Sequence, residues 1–151
     1  GHYEGGAYNN YWVLIFSYPE NSHTEDYRQE VLNLVNAQRA KYGLTALEMG
    51  DDNLTAAAQT RAEEIAVVNS HVRPDGSKCF TVLKDYGVTD TPTGENAAWG
   101  SVSPEEVVNA WMNSEGHRAN ILNPEARKMS VGYYYNSNST WGHQWIQIFT
   151  K

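Results

Sequence analysis

The sequence is short of cysteine, of long apolar runs and of positive charge, and each shortage excludes a class of protein. Cys79 is the only cysteine, so the chain cannot form an internal disulfide and is not a disulfide-stapled scaffold. The longest apolar run, residues 12–16, is far shorter than the roughly 18 residues that a membrane-spanning helix needs. Lys and Arg number 11 against 18 Asp and Glu, a net charge of −7. We therefore expect no transmembrane segment, no nucleic-acid partner and no electrostatic attachment to anionic lipid.

The length and composition are those of a globular domain with many aromatic side chains. A chain of 151 residues, 40% of them hydrophobic, is long enough to bury one substantial core. It carries ten Tyr and five Trp, which suit core packing and also the walls of a binding cleft. Residues 1–25 form a predicted N-terminal arm, in which the 12–16 run is interpreted as one strand or an ordered segment. Residues 26–151 form the predicted domain.

Hydrophobic periodicity predicts helices first and a β-hairpin late in the chain. Apolar residues at helical spacing predict helices over residues 24–42, 52–68, 79–86 and 104–114. Tyr-, Ile- and Trp-rich runs, separated by a short polar loop, predict two paired strands over residues 129–135 and 141–149. Residues 87–101 are rich in Gly, Thr and Pro and are interpreted as a loop. This order of elements favours an α+β fold over a parallel βαβ sheet.

Capping residues mark the predicted helix boundaries. Ser22 and Ser103 each stand three residues before a Glu, which is the spacing of a capping box. Asp51 or Asp52 is the expected N-cap of the second helix. Gly116 is expected to end the fourth helix, because glycine is favoured just past a helix C-terminus.

The second predicted helix has a clear apolar stripe. Its expected buried face consists of Leu54, Ala58, Ala62 and Ile65. Arg61 is placed mostly outside that stripe. The small alanines would allow a neighbouring element to approach closely.

Three ionisable residues stand in loops or at helix ends, where side chains can be aimed into a cleft. They are His71, Glu95 and His117, each beside or near Gly or Pro. Two imidazoles and a carboxylate could bind a divalent metal or act as acid and base on a bound water. The alternative is two hydrogen-bonded loop histidines and a solvated glutamate. Cys79 with His71 could form a nucleophile–base pair, but a small buried thiol is the simpler interpretation.

Several motifs, in order and spacing, resemble the CAP superfamily of cysteine-rich secretory, antigen-five and pathogenesis-related proteins. The match is closest to the bacterial branch known as SCP-like extracellular proteins, and it covers about residues 26–150. The motif that carries most of it is Trp-Met-Asn-Ser-Glu-Gly-His-Arg-Ala-Asn-Ile-Leu, followed by Gly-Tyr-Tyr on the first predicted strand. The matching segments are residues 36–39, 71–76, 94–99, 110–122, 131–134 and 145–149.

The resemblance implies an α-β-α sandwich, with helices on both faces of a small antiparallel sheet, and a secreted or cell-surface location. The family cleft carries two His and two Glu, and His71, Glu95 and His117 match three of these positions. Ser114 stands at the fourth. Glu115 is adjacent, but one helical step turns a side chain by about 100°. Family members with all four residues can hold zinc or another divalent ion, so His71 and His117 are the implied metal ligands here.

The resemblance also implies which other residues line the cleft, and it leaves three functions open. The expected lining residues are Asn96, Trp99, Trp111, Ser114 and Arg118. The first function is a secreted module that binds a small molecule, a lipid or a protein. The second is a metal-assisted hydrolase, with Glu95 as base. The third is a structural or surface-interaction protein in which Glu95 holds the two histidine loops together.

Overall fold

The computed structural model describes residues 20–151, with side chains from residue 23 onward. Within that range five helices and two strands come before a final β-hairpin. The helices are α1 (Glu20–Lys41), α2 (Asp52–Ile65), α3 (Thr81–Asp85), α4 (Pro104–Met112) and α5 (Glu115–Ile121). The strands are β1 (Glu48–Met49), β2 (Pro92–Trp99), β3 (Lys128–Tyr135) and β4 (His143–Thr150). No helix in this part of the chain is long and apolar enough to cross a membrane.

The four strands form one sheet in the order β1-β3-β4-β2. Strands β3 and β4 are the predicted hairpin, and β2 pairs antiparallel with β4 on its other side. The two-residue β1 runs parallel to β3. The strand β2 therefore lies at one edge of the sheet, next to a single neighbouring strand.

Helices cover both faces of the sheet, which confirms the expected α-β-α sandwich. In the central strand β4, Trp145 and Phe149 belong to the core packed by α1 and α4. The alternate residues Ile146 and Ile148 belong to a second core, packed by α2 and α3. Side chains alternate between the two faces of a strand, so one buried strand supplies both cores.

Gly132 lets α2 approach the sheet closely. A Cβ atom at this position of β3 would overlap the backbone carbonyl of Ala58 on α2. The stripe predicted for α2 is buried in this layer, as Leu54, Ala58, Ala62 and Ile65 are all at most 1% exposed.

The capping predictions are confirmed at two helices. Asp51 is the N-cap of α2 and accepts a hydrogen bond from the Leu54 amide. Ser103 is the N-cap of α4 and accepts one from the Glu106 amide. The Glu106 carboxylate in turn accepts from the amide of Val102, so it satisfies a donor one residue earlier than expected.

Three predictions about elements were wrong. The helix α1 begins at Glu20, so Ser22 lies inside it and is not its N-cap. Residues 92–99 form a strand rather than a loop, because pairing with β4 satisfies their backbone groups. Gly116 lies inside α5, a separate helix that starts directly after the end of α4. The predicted strand at residues 12–16 lies outside the described residues.

Candidate functional site

The edge strand β2 places the predicted site between the two helical layers. Glu95 and Ala97 point to the α2 face of the sheet, and Asn96 points to the opposite face, where α5 packs. His71 lies in the segment that follows α2, and His117 lies on α5. The site is therefore assembled where the two layers meet beside the edge of the sheet.

Glu95 is a buried carboxylate with both oxygens engaged. Arg61 on α2 reaches it with two nitrogens, Nε to Oε2 at 2.9 Å and Nη2 to Oε1 at 3.2 Å. Nδ1 of His71 lies 2.7 Å from Oε1. Burial alone would raise the pKa of the Glu95 carboxyl, but the hydrogen bonds from His71 and Arg61 outweigh it and lower the pKa. Glu95 is therefore an anion at neutral pH, held in a fixed position.

His71 is half-exposed and oriented by Glu95. Because the carboxylate can only accept, Nδ1 of the ring carries the proton in their 2.7 Å contact. This leaves Nε2 without a partner among the described residues, on a side chain that is 54% exposed. The hydrogen bond to Glu95 raises the pKa of His71, against the opposing effect of partial burial. The imidazole therefore offers Nε2 to a ligand, as an acceptor when neutral and as a donor when protonated.

His117 is the second imidazole of the site. Its pKa is lowered by partial burial and, secondly, by the positive charge of His71, so the two rings are close enough to interact electrostatically. The backbone carbonyl of His117 accepts a hydrogen bond from Asn96, which ties α5 to the edge strand. The two histidines consequently differ, with His71 more basic and His117 less basic than an ordinary imidazole.

Arg61 is a site residue that the sequence prediction missed. It was placed mostly outside the buried stripe of α2, yet it is fully buried. Besides Glu95 it binds Glu64 at 2.6 Å and the carbonyl of Ser70 at 3.2 Å, so it links α2 to the His71 segment. Its spacing from Ala58 and Ile65 follows the helical repeat, and that signal could have identified it.

A second arginine extends this network to the surface. Arg73 pairs with Glu64 at 2.8 Å and with Asp85 on α3 at 2.8 Å. Alternating charges therefore run from Glu95 through Arg61 and Glu64 to Arg73. Each charge of this four-residue network has an opposite partner, which is the condition for burying charges without a large loss of stability.

Asn96 is buried on the α5 face of β2 and does not line the site. It is fully buried, and its amide donates to the carbonyl of His117 at 3.1 Å and to the side chain of Gln147 at 3.1 Å. Its oxygen accepts from Asn120, which also donates to the backbone carbonyl of Glu95. The predicted lining role of Asn96 is therefore corrected to one of fastening α5 onto β2.

The two predicted cleft tryptophans lie elsewhere. Trp111 is 1% exposed in the core beneath α4, and its indole N–H donates to the carbonyl of Ala97. Trp99 stands four residues from Glu95, or about 13 Å along the strand, and donates to the carbonyl of Ile65. It borders a separate cavity. The motif positions of the two tryptophans were compatible with the cleft and with the locations observed. Apolar packing determines where the rings lie.

The remaining predicted residues lie around the start of α5. Ser114 is the N-cap position of this helix, and its side chain makes no capping hydrogen bond. Glu115 is exposed in the first turn, and Arg118 donates to the carbonyl of Met112 at 3.1 Å. No hydrogen bond or ion pair in the described part of the chain joins Glu115 to either histidine. Its role in the site stays a prediction.

The donor set does not fit a metal centre built from protein ligands alone. Zinc sites usually use at least three protein ligands. Among the described residues, no group of three His, Cys, Asp or Glu is arranged to hold an ion. Glu95 is committed to Arg61 and His71, which leaves two imidazoles. The zinc site expected at His71 and His117 therefore stays a prediction.

Cys79 is not activated as a nucleophile. Burial, and then the negative charge of Glu95, raise the pKa of its thiol to about 11. At neutral pH the thiol is therefore protonated, whereas a nucleophilic cysteine needs a lowered pKa. The thiol that was expected to be buried is partly buried, and its raised pKa does not favour the nucleophile–base pair with His71.

Comparison with known proteins identifies the family. The model of the CAP, or cysteine-rich secretory protein, family matches residues 32–149. The chain belongs to this family. It is 42% identical over 122 residues to the uncharacterized protein YkwD of Bacillus subtilis, covering 80% of this chain and 47% of that protein. It is 33% identical over 115 residues to the uncharacterized membrane protein YlbC of the same species, covering 73% of this chain and 33% of that one. The chain thus spans half the length of these CAP relatives or less.

Solved structures of the family share the fold. An extracellular protein with an SCP domain from Bacillus anthracis superposes with a TM-score of 0.74 at 25% identity, over 85% of this chain and 41% of that one. An outer surface protein of Borrelia burgdorferi gives 0.66 at 25% identity, over 82% and 90%. A cysteine-rich secretory protein of Staphylococcus aureus gives 0.66 at 20% identity, over 85% and 39%, which shows the fold alone.

Proposed function

We propose that this CAP domain is an extracellular binding module whose recognition group is the exposed imidazole of His71. The observation that carries the proposal is the Glu95–His71 contact of 2.7 Å, which orients the ring and leaves Nε2 available. His117 borders the same site as a second, less basic imidazole. The extracellular location is supported by the similar domains in an extracellular protein and an outer surface protein.

The geometry favours binding over hydrolysis. A carboxylate that acts as a general base must be free to accept a proton and needs a pKa close to the working pH. Glu95 has a lowered pKa and is held by Arg61 and His71, so it does not suit the role of base on a bound water. The hydrolase alternative loses its proposed base in this arrangement.

A purely structural role is the second candidate, and the buried charge network favours it. Arg61 and Glu95 join α2, the His71 segment and β2, which is the linking role considered for Glu95 from the sequence. Under this alternative the half-exposed His71 ring would bind nothing.

One NMR titration separates these functions. The ¹⁵N- and ¹³C-labelled full chain is titrated at neutral pH with acetate, with a capped glycine peptide mimic and with zinc, while both imidazole signals are followed. A binding module predicts a saturable shift at His71 with at least one organic probe. The accompanying shifts of the backbone amides around residue 71 should be lost in His71→Gln. Zinc should bind no more tightly to the wild type than to a His71→Ala/His117→Ala control.

The other outcomes contradict the proposal in different ways. If neither organic probe shifts an imidazole signal, the binding proposal fails and the structural role is favoured. Micromolar zinc binding lost in the double variant, equivalent to about −8 kcal/mol, would restore a metal site and the hydrolase alternative.

A further inference from the structure

Trp141 differs from the other tryptophans that the structure describes. The indole N–H groups of Trp99, Trp111 and Trp145 each donate to a backbone carbonyl, at 3.0, 3.3 and 2.7 Å. The indole of Trp141 has no such partner among the described residues, and the residue is 52% exposed. Tryptophan normally buries its ring and pairs its N–H, so this half-open ring is the exception that needs an explanation.

The backbone around Trp141 holds the ring in a defined place. The ring lies against Gly100, where an added Cβ would stand 3.6 Å from Cε3 of the indole. The Gly100 amide donates to the carbonyl of His143, the second residue after Trp141, at 2.9 Å. Trp141 thus lies between the end of β2 and the start of β4, with one edge of its ring against Gly100, and we call this half-exposed ring the platform.

Two cavities adjoin this platform and share Trp141 and Asn69. One has a volume of about 290 Å³ and is lined also by Ala66, Val67, Gln144 and the hairpin loop residues 138–140. The other has about 330 Å³ and is completed by Trp99. Both are close to the lower end of the usual size range of small-molecule sites. An occupant that used both would extend across the indole face.

The first cavity has a mainly polar lining, the second is lined mainly by apolar surface of its two tryptophans, and neither carries a charge. Amide and hydroxyl groups come from Asn69, Asn138 and Thr140, whose side chains have no hydrogen-bond partner within the described part of the chain. Neither cavity includes an Asp, Glu, Lys, Arg or His, although the chain as a whole has a net charge of −7. A neutral site on an acidic protein selects a neutral ligand rich in hydrogen-bonding groups.

We propose that Trp141 and its two cavities bind a neutral saccharide chain of β-linked pyranose units. Pyranoses with equatorial linkages have flat faces of C–H bonds, which match the electron-rich face of an indole. Their edges carry hydroxyl and acetamido groups, which match the free amides and hydroxyls of the lining. The position of Trp141 between two cavities suits successive units of such a chain. The lining of these cavities includes none of His71, Glu95 and His117, and the proposal does not depend on the function of the His71 site.

Indole NMR signals test the proposal directly. The ¹⁵N-labelled full chain is titrated with cellohexaose and with chitohexaose to about 10 mM, a range that covers weak millimolar affinity. We expect at least one hexaose to shift the Trp141 signal saturably. Trp141→Ala should weaken binding by about tenfold or more, and Trp141→Phe by less, because it keeps an aromatic face.

A matched control and the contrary results complete the test. Tyr135→Ala removes a similarly exposed aromatic residue of the same hairpin, 53% exposed, that lines neither cavity. It should leave saccharide binding unchanged. The proposal is overturned if neither hexaose moves the Trp141 signal, or if Trp141→Ala binds as the wild type does. A proline-rich peptide that shifts Trp141 when both hexaoses fail would assign the platform to peptide binding.

Discussion

At the scale of single residues, Glu95 has the most consequential environment in the site. It lies on an edge strand but is buried, and its charge is balanced by Arg61, itself fully buried. Such a pair contributes modestly compared with apolar packing, but each partner depends on the other. Removal of one leaves the other buried charge with only its second partner, Glu64 for Arg61 or His71 for Glu95.

Replacement of Glu95 by Ala should therefore be strongly destabilising. We expect a loss of up to about 3–5 kcal/mol in the free energy of unfolding, because Arg61 would stay buried with Glu64 as its remaining carboxylate partner. Glu95→Gln should cost less, since the amide oxygen can still accept from Arg61. Urea denaturation measures both.

The exposed Glu115 provides the matched control for that series. Glu115→Ala should change the free energy of unfolding by less than about 0.5 kcal/mol. Equal effects of Glu95→Ala and Glu115→Ala would show that the buried pair does not exist in solution.

The contact between His71 and Glu95 should make stability depend on pH in a defined window. Because the pKa of His71 is raised, its contribution is complete below the ordinary value of 6.5 and is lost as the pH rises through the raised pKa. Because the pKa of Glu95 is lowered, its contribution is present above the ordinary 4.5 and is lost as the pH falls through the lowered pKa. The contact is therefore strongest between these two ordinary values.

Melting temperatures of the wild type and His71→Gln across pH check this window. The difference between the two proteins should be largest between about pH 4.5 and 6.5 and should shrink on both sides. A difference that stays constant from acid to alkaline pH would mean that the imidazole does not pair with Glu95.

At the scale of elements, the sequence predicted features that depend on neighbouring residues in the chain. Caps such as Asp51 and Ser103 act within three residues, so their signals are local and were recovered. The hairpin strands were found for the same reason, because their alternating pattern and polar loop are continuous in sequence.

Features that depend on distant partners were missed. The β2 segment contains Gly94 and Asn96, which are poor strand formers, and it becomes a strand through pairing with β4, about fifty residues later. Arg61 is buried because Glu95 meets it from that same strand. Of the three residues that the family motifs suggested, His71 and Glu95 lie in contact, and the role of His117 stays a prediction. The separate locations of Trp99 and Trp111 followed only from packing.

The contact between α2 and β3 should tolerate no side chain at Gly132. Gly132→Ala would push its methyl group into the Ala58 carbonyl, and neither backbone can yield easily. We expect the free energy of unfolding, measured by urea denaturation, to fall by about 1–3 kcal/mol or more.

Gly116→Ala is the matched control for that substitution. This glycine lies inside α5, and an added Cβ would have no heavy atom within 4 Å. Alanine is the better helix former, so stability should stay unchanged or rise by up to about 1 kcal/mol. A Gly132→Ala variant as stable as Gly116→Ala would contradict the close approach of α2 to β3.

At the scale of the whole molecule, the sandwich brings together groups that belong to different layers. Glu95 and His71 lie on the α2 side, His117 belongs to α5 on the other side, and β2 joins them at the sheet edge. The fold thereby orients the imidazole of His71, lowers the basicity of His117, and engages both oxygens of the Glu95 carboxylate in hydrogen bonds. The platform at Trp141 lies toward the other end of the same strand, where Trp99 borders it.

The most direct test of this account is a ¹⁵N NMR titration of the histidine rings in the wild type and in Glu95→Gln. We predict that neutral His71 carries its proton on Nδ1, that His71 titrates at a higher pKa than His117, and that Glu95→Gln lowers the His71 pKa. A neutral His71 protonated on Nε2, or a His71 pKa below that of His117, would contradict the claim that Glu95 orients this ring for binding.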